Sequence, residues 1–82
     1  LRPETARVKR LDQELDIPIH EVKVDDVVVV RPGERIPVDA VILEGTSHID
    51  ESMMTGESEP VNKIVGNNVI GGAVNIDGML LV

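Results

Sequence analysis

The hydrophobic and polar positions near the start of the chain predict a β-hairpin. Residues 5–11 mix apolar and charged side chains, and residues 15–19 alternate apolar and polar positions cleanly, as a half-buried strand does. Residues 11–14, Leu-Asp-Gln-Glu, can form the turn between them. The alternative is a helix that opens at residues 2–4, where a proline stands in the first turn. We favour two strands because the clean alternation follows directly on the turn.

The apolar positions then change parity. They are odd-numbered from Leu15 to Ile19 and even-numbered at Val22 and Val24. A shift of one residue moves every side chain of a strand to the opposite face of its sheet. We therefore expect a β-bulge or a break near His20 and Glu21.

The rest of the chain contains short apolar runs separated by turn residues. Residues 27–30 are four valines, the pattern of a strand that is buried on both faces. A turn with Pro32 and Gly33 follows them, and Asp77-Gly78 predicts a hairpin turn near the end of the chain. Further strands are predicted at residues 38–44, 47–50, 61–65, 69–76 and 79–82, of which the last two form that hairpin. These signals predict an all-β fold, a small distorted jelly-roll or barrel-like sandwich of short strands joined by tight turns.

Composition narrows the possible functions. The chain has 82 residues, enough for a single domain over residues 1–82, and its core must be aliphatic because Phe, Tyr and Trp are absent. A formal charge of −7 and the lack of aromatic stacking residues argue against a nucleic-acid partner or an anionic membrane surface. Half of the eight basic residues lie in the first ten positions, where we expect a solvated face: Arg2, Arg7, Lys9 and Arg10.

Two further observations concern chemistry and context. The chain has no cysteine, so it has no disulfide and no thiol nucleophile. No apolar run approaches the roughly 20 residues of a membrane helix. The first residue is not Met and the last residues belong to an apolar run, so we expect a soluble domain excised from a longer protein.

The most informative segment is residues 50–60, Asp-Glu-Ser-Met-Met-Thr-Gly-Glu-Ser-Glu-Pro. Gly56 permits a tight turn that projects the next side chain, Glu57, outward. The hydroxyl group of Thr55 or Ser58 can bond to nearby backbone and stiffen the turn. The sequence therefore predicts a carboxylate presented at the tip of a loop.

The same loop is acidic and contains no basic residue. Its acids are Asp50, Glu51, Glu57 and Glu59, and the first two can brace its base, while Pro60 restricts the preceding residue to extended conformations. A phosphate cradle needs backbone N–H groups together with Lys or Arg. Near a phosphoryl group, the role that suits Glu57 is to orient a water molecule and accept its proton. On these residues alone, the alternative is a surface turn with a solvated glutamate.

The loop is part of a longer pattern that resembles the actuator domain of the P-type ATPases. The resemblance runs from about residue 3 to residue 82, and the spacing of Asp-Glu-Ser, Thr-Gly-Glu and Pro within residues 50–60 is highly specific. The other matching pieces are residues 31–39 (Arg-Pro-Gly-Glu-Arg-Ile-Pro-Val-Asp), Gly45, Val61, Lys63, Gly71-Gly72 and Asn75.

The resemblance implies a function. Members of the family are ion-pumping ATPases that form an aspartyl-phosphate in a separate phosphorylation domain. Their actuator domain lies between membrane helices on the cytoplasmic side and docks its Thr-Gly-Glu loop on that phosphate. In this chain Glu57 is then the residue that positions the hydrolytic water, and Thr55, Gly56 and Ser58 shape its loop. ATP and Mg²⁺ belong to the phosphorylation and nucleotide-binding domains of the same polypeptide, so the isolated domain is not expected to hydrolyse ATP.

The resemblance also points to a branch of the family. Residues 3–8, Pro-Glu-Thr-Ala-Arg-Val, followed by a short hairpin, look like the branch that transports heavy metals. Copper export is the leading expectation, with zinc, cadmium and cobalt as alternatives. The chain departs from the usual pattern at four positions: Asp25 and Ala40 where glycine is typical, Asn67 where aspartate is frequent, and Ala73 where threonine is frequent.

Several other residues are weaker candidates for function. Met53 and Met54 are adjacent and would point to opposite faces of a strand, so we expect one in the core and one as a docking contact rather than a shared metal site. His20 and His48 have no third ligand in view. Three basic residues keep open roles: Arg31 and Arg35 either contact a partner domain or lie in a solvated turn, and Lys63 pairs with Glu57, with Glu59 or with nothing. A non-catalytic β interaction module is the rival function, and membrane helices in the flanking sequence would decide against it.

Overall fold

The computed structural model describes residues 3–82. Arg2, a member of the expected basic face and of the alternative helix start, lies outside the described residues. Within them, nine short strands are joined by turns, one 3₁₀ turn and one four-residue α-helix. The elements are β1 (Thr5–Arg10), β2 (Gln13–Pro18), the 3₁₀ turn (Ile19–Glu21), β3 (Val27–Val30), β4 (Ala40–Val41), β5 (Ser47–Asp50), α1 (Ser52–Thr55), β6 (Val61–Lys63), β7 (Asn68–Val69), β8 (Val74–Asn75) and β9 (Leu80–Leu81).

The strands form three antiparallel sheets around one aliphatic core, which confirms the predicted all-β fold. The largest sheet has the order β2-β1-β3-β9, the second pairs β4 with β7, and the third has the order β6-β5-β8. Residues from all three sheets and from the loops meet in the core, and none is aromatic: Ala6, Val8, Val28, Val30, Ile36, Ile42, Ile49, Val69, Ala73, Leu80 and Val82.

The N-terminal hairpin was predicted correctly. β1 pairs with β2 in a register that places Arg10 opposite Gln13, so only Leu11 and Asp12 form the turn. Both have positive φ, 49° and 62°, as the central residues of a type I′ turn do. The expected break after this hairpin is also confirmed, because the pairing of β2 ends at Pro18 and the 3₁₀ turn Ile19–Glu21 follows.

The valine strand β3 is the centre of the largest sheet. It pairs with β1 on one side and with β9 on the other. Val28, Val29 and Val30 are buried, which confirms the prediction of a strand covered on both faces.

Three predicted strands differ from the structure. In residues 38–44 only Ala40–Val41 is a strand, and Glu44 makes an isolated bridge to Leu81. In residues 61–65 the strand ends at Lys63. Residues 69–76 contain parts of two strands, β7 and β8, because the backbone turns at Gly72 with a φ of 98°.

The predicted C-terminal hairpin is wrong. β8 pairs with β5 and β9 pairs with β3, so the chain passes between two sheets at Asp77-Gly78. A type I′ turn requires positive φ at both central residues, and neither Asp77 nor Gly78 has it. Glycine is required at position 78 for another reason: a Cβ there would overlap the carbonyl oxygen of Thr46.

Candidate functional site

The acidic loop leaves the third sheet between β5 and β6. These strands pair with Ile49 opposite Val61, so the loop is closed at its base by a β-ladder. At its start, the Asp50 side chain accepts a hydrogen bond from the backbone N–H of Ser52 at 2.9 Å. Hydrogen bonds from the side chain and the backbone of Ser52 lower the pKa of Asp50 below its ordinary value. The carboxylate therefore stays ionised where it supports the first turn of the loop.

A single helical turn, α1, fills the first half of the loop. The backbone carbonyl of Glu51 accepts hydrogen bonds from the N–H groups of Met54 at 2.9 Å and Thr55 at 3.0 Å. Gly56 ends the helix in the left-handed region at φ 77°, and its N–H bonds to the carbonyl of Ser52. An added Cβ at Gly56 would meet nothing within 4 Å, so glycine serves here for its positive φ and not for space.

The hydroxyl group of Thr55 connects this helical turn to Glu57. It donates a hydrogen bond to the carbonyl of Glu51 at 3.1 Å and accepts one from the backbone N–H of Glu57 at 3.2 Å. Of the two hydroxyls expected to stiffen the turn, Thr55 therefore does so. Glu57 and Ser58 follow as exposed residues. The geometry presents a carboxylate to solvent on a backbone that is fixed immediately before it.

The base of the loop contains an ion pair with a buried carboxylate. Glu51 is only 8 % exposed, and the Nζ atom of Lys63 lies 3.6 Å from its Oε2 atom. The structure thus confirms that Asp50 and Glu51 brace the loop. It gives Lys63 a partner, Glu51, that differs from those expected from the sequence, Glu57 and Glu59. This contact could not be predicted from the sequence, because the two residues lie at opposite ends of the loop and only the pairing of β5 with β6 brings those ends together.

The two methionines lie on α1 and not on a strand. Met53 is 65 % exposed and Met54 is 39 % exposed. The expectation that one of them fills the core is therefore wrong. The signal that was missed is an aspartate two residues before a serine and two good helix formers, which together start a helical turn.

The remaining pieces of the family pattern meet elsewhere in the fold. Arg35 donates a hydrogen bond through its Nη1 atom to the carbonyl of Gly72 at 2.7 Å, and the carboxylate of Asp39 accepts one from the N–H of Gly71 at 2.7 Å. The Arg31 guanidinium bonds to Glu14 at 2.9 and 3.1 Å. Arg31 and Arg35 therefore have contacts within the domain, which the sequence left open.

A second polar cluster lies under the crossing at Asp77-Gly78. The buried Asn75 side chain accepts a hydrogen bond from the hydroxyl of Ser47 and donates to the carbonyls of Val30 at 3.1 Å and Gly78 at 2.6 Å. His48 contacts Asp77 through its Nδ1 atom at 2.9 Å. Within residues 3–82, no group of three or more His, Cys, Asp or Glu side chains is placed to hold a metal ion. The same described part contains no helix long and apolar enough to cross a membrane.

Comparison with known proteins agrees with the pattern in the sequence. The family model of the P-type ATPase actuator domain matches residues 1–82. The chain is 55 % identical over 82 residues to a probable copper-transporting ATPase, PacS, of Synechococcus elongatus, and 56 % identical over 80 residues to a copper-exporting P-type ATPase of Bacillus subtilis. The match to PacS includes 100 % of this chain and 11 % of the relative. The match to the Bacillus subtilis protein includes 98 % of this chain and 10 % of the relative.

A solved structure gives the same result. A zinc-transporting PIB-type ATPase superimposes with a TM-score of 0.92 at 36 % identity, over 99 % of this chain and 13 % of the pump. The chain thus corresponds to about a tenth of the length of these transporters. The matched pattern, the fold and the extent of the family match agree, and the chain belongs to the family of P-type ATPase actuator domains.

Proposed function

We propose that residues 1–82 are the single actuator domain of a heavy-metal-transporting P-type ATPase and that Glu57 positions the water that hydrolyses its aspartyl-phosphate. The observation that carries the proposal is the turn at Thr55-Gly56-Glu57-Ser58. It holds the backbone of Glu57 by a hydrogen bond and leaves the side chain exposed. A carboxylate on a fixed backbone is suited to orient water and to accept its proton, since phosphoryl-transfer sites act chiefly by placement and electrostatics.

The reaction requires other domains of the same polypeptide. The acidic loop offers no cation for a phosphate, so the aspartyl-phosphate, its Mg²⁺ and the nucleotide belong to the phosphorylation and nucleotide-binding domains. Mg²⁺ supplies charge neutralisation there, while this chain contributes Glu57 and its loop. In this proposal the domain lies on the cytoplasmic side of the membrane between flanking membrane helices, and alone it does not hydrolyse ATP.

Copper is the proposed cargo and export the proposed direction. Of the two relatives named above, that of Synechococcus elongatus is a probable copper-transporting ATPase and that of Bacillus subtilis is a copper-exporting P-type ATPase. Zinc is the second candidate, because the superimposed pump transports zinc. Stimulation of ATP hydrolysis in the full-length pump by Cu⁺ but not by Zn²⁺ would support copper, and the reverse would support zinc.

The role of Glu57 is tested by Glu57→Gln in the full-length pump. Glutamine keeps the shape of the side chain and cannot accept the proton, so we expect phosphoenzyme to form from ATP and to decay about 100-fold or more slowly. Radiolabelled phosphoenzyme followed after a chase with unlabelled ATP gives both quantities. Glu59→Gln is the matched control, because it neutralises an exposed acid two residues further on. Decay of the Glu57→Gln phosphoenzyme at the wild-type rate would remove Glu57 from the mechanism.

A further inference from the structure

Glu51 is an unusual residue in this loop because its carboxylate is buried. The side chain is 9 % exposed, and its Oε2 atom has no hydrogen-bond partner within the described residues. Burying a carboxylate is costly unless a charge compensates it. The nearby cation is Lys63, whose Nζ atom is 3.6 Å away and whose side chain is 20 % exposed.

The two partners stand at opposite ends of the loop. Glu51 directly follows β5, and Lys63 is the last residue of β6. The backbone of Lys63 is itself fixed, because it pairs with Ser47 and its carbonyl accepts a hydrogen bond from the hydroxyl of Thr46 at 3.0 Å. The ion pair therefore joins the departing and returning strands across the base of the loop.

Glu51 is also linked to Glu57 through two hydrogen bonds. Its carbonyl oxygen accepts from the hydroxyl of Thr55, and that hydroxyl accepts from the N–H of Glu57. A shift of Glu51 thus moves the acceptor to which Thr55 is bonded, and with it the group that fixes the backbone of Glu57. The Lys63 ammonium is thus connected to Glu57 through two intervening residues, Glu51 and Thr55, by one ion pair and two hydrogen bonds.

We propose that Glu51 and Lys63 are positioning residues for dephosphorylation, and this rests on the proposed function of Glu57. The pair fixes the orientation of the Glu51 backbone, and Thr55 transmits it to the carboxylate at the tip. Supporting residues of this kind commonly change activity by about 10- to 100-fold, and a misplacement of about 1 Å is enough for such a loss.

The test uses Lys63→Met in the full-length pump. The variant removes the ammonium and keeps a flexible side chain of similar length. We expect phosphoenzyme formation from ATP to persist and its decay to slow by about 10- to 100-fold. Lys63→Arg restores a cation and is expected to recover most of the decay rate. Lys9→Met is the matched control, because Lys9 is exposed on β1 in a different sheet, and it should decay as wild type.

A double variant provides the test if Lys63→Met does not fold. Lys63→Met alone leaves Glu51 buried without its cation, whereas Glu51→Gln with Lys63→Met removes both charges. If the single variant yields too little folded protein, the decay rate of the double variant decides. Slow decay in it supports the positioning role, and decay at the wild-type rate overturns it.

The outcomes separate this inference from the proposed function. Slow decay in Glu57→Gln together with wild-type decay in Lys63→Met, even at reduced phosphoenzyme yield, makes the pair purely structural and overturns the inference alone. Wild-type decay in Glu57→Gln overturns the function proposed for Glu57 and the inference with it. A positioning role requires slow phosphoenzyme decay in Glu57→Gln and in Lys63→Met, and recovery of the decay rate in Lys63→Arg.

Discussion

At the scale of single residues, one buried amide connects three segments of the domain. Asn75 has no exposed surface, and its side chain bonds to Val30, Ser47 and Gly78. Its backbone also donates to the carbonyl of Glu34 and accepts from the N–H of Gly33. A buried amide with all these partners fixes how the sheets join, because each partner loses a bond if the amide is removed.

We therefore predict that Asn75→Ala lowers the free energy of unfolding by about 2 to 4 kcal/mol, since the carbonyl groups of Val30 and Gly78 each lose a hydrogen bond in the interior. Urea denaturation of the two proteins measures the difference from their midpoints at equal slope. Asn62→Ala is the control, because Asn62 is exposed and should change stability by less than about 0.5 kcal/mol. Equal losses in the two variants would contradict the role assigned to Asn75.

Residue conformation also explains one departure from the family pattern. Asp25 stands where glycine is typical, and its backbone has a φ of 76°. Aspartate is one of the few residues that enter the left-handed region with little cost, so the chain keeps the turn without glycine. Ala40, the other position where glycine is typical, does not have positive φ, in agreement with the sequence.

At the scale of elements, the β1–β2 turn offers the clearest opportunity for stabilisation. Leu11 adopts a φ of 49° with a side chain that is 98 % exposed, so it bears conformational strain without burying apolar surface. Leu11→Asn with Asp12→Gly installs the residue pair that type I′ turns prefer.

We expect this double variant to gain about 1 kcal/mol of unfolding free energy, measured as a higher urea midpoint. Leu11→Ala separates the causes, because it removes the exposed side chain but keeps a Cβ at positive φ, and it should bring no such gain. A double variant no more stable than the original would show that the turn is not strained.

The elements that could be predicted from the sequence are those set by local pattern. Alternation located β1 and β2, and four consecutive valines located β3. The C-terminal strands could not be assigned, because Asp77-Gly78 is a common hairpin signal. In the structure the chain crosses between sheets at this point. Two contacts fix the crossing: Gly78 lies close to Thr46, and Asp77 bonds to His48. Both contacts join residues about thirty positions apart, so no local pattern contains them.

The same distinction applies to the site. The bond from Glu57 to Thr55 spans two residues and follows from the turn chemistry of residues 55–58. The pairing of Glu51 with Lys63 depends on the β5–β6 register, and residue types alone allowed other partners for the lysine. The helix α1 was missed because one turn is too short to show a periodic pattern.

At the scale of the whole molecule, three carboxylates in different parts of the fold make the stability of the domain depend on pH. The Arg10 side-chain hydrogen bonds, aided by the backbone N–H of Lys23, lower the pKa of Asp26 to about 2. The pKa of Asp77 is lowered chiefly by the backbone N–H of His48, and that of Asp50 by Ser52. All three shifts have the same sign, so each carboxylate stabilises the folded state only while it is ionised.

We predict from these shifts that the domain loses stability as the pH falls below about 4, and that the Asp26 contribution is lost as the pH falls through about 2. A carboxylate with a depressed pKa in the folded state contributes its full stabilisation above its ordinary pKa, and it loses that contribution as the pH falls through the folded value. Well above their ordinary pKa these three groups are ionised in both states and contribute no slope.

Asp26→Asn tests the largest of these contributions. The variant should be less stable than the original above pH 4 and should lose less stability between pH 4 and pH 2, because asparagine has no proton to gain. Urea midpoints measured at low ionic strength across this range give both quantities, since salt would screen the Arg10 interaction. Asp16→Asn removes a carboxylate from an exposed ion pair with Arg7 and should follow the original curve. Parallel curves for Asp26→Asn and the original would show that the Arg10–Asp26 contact does not control acid unfolding.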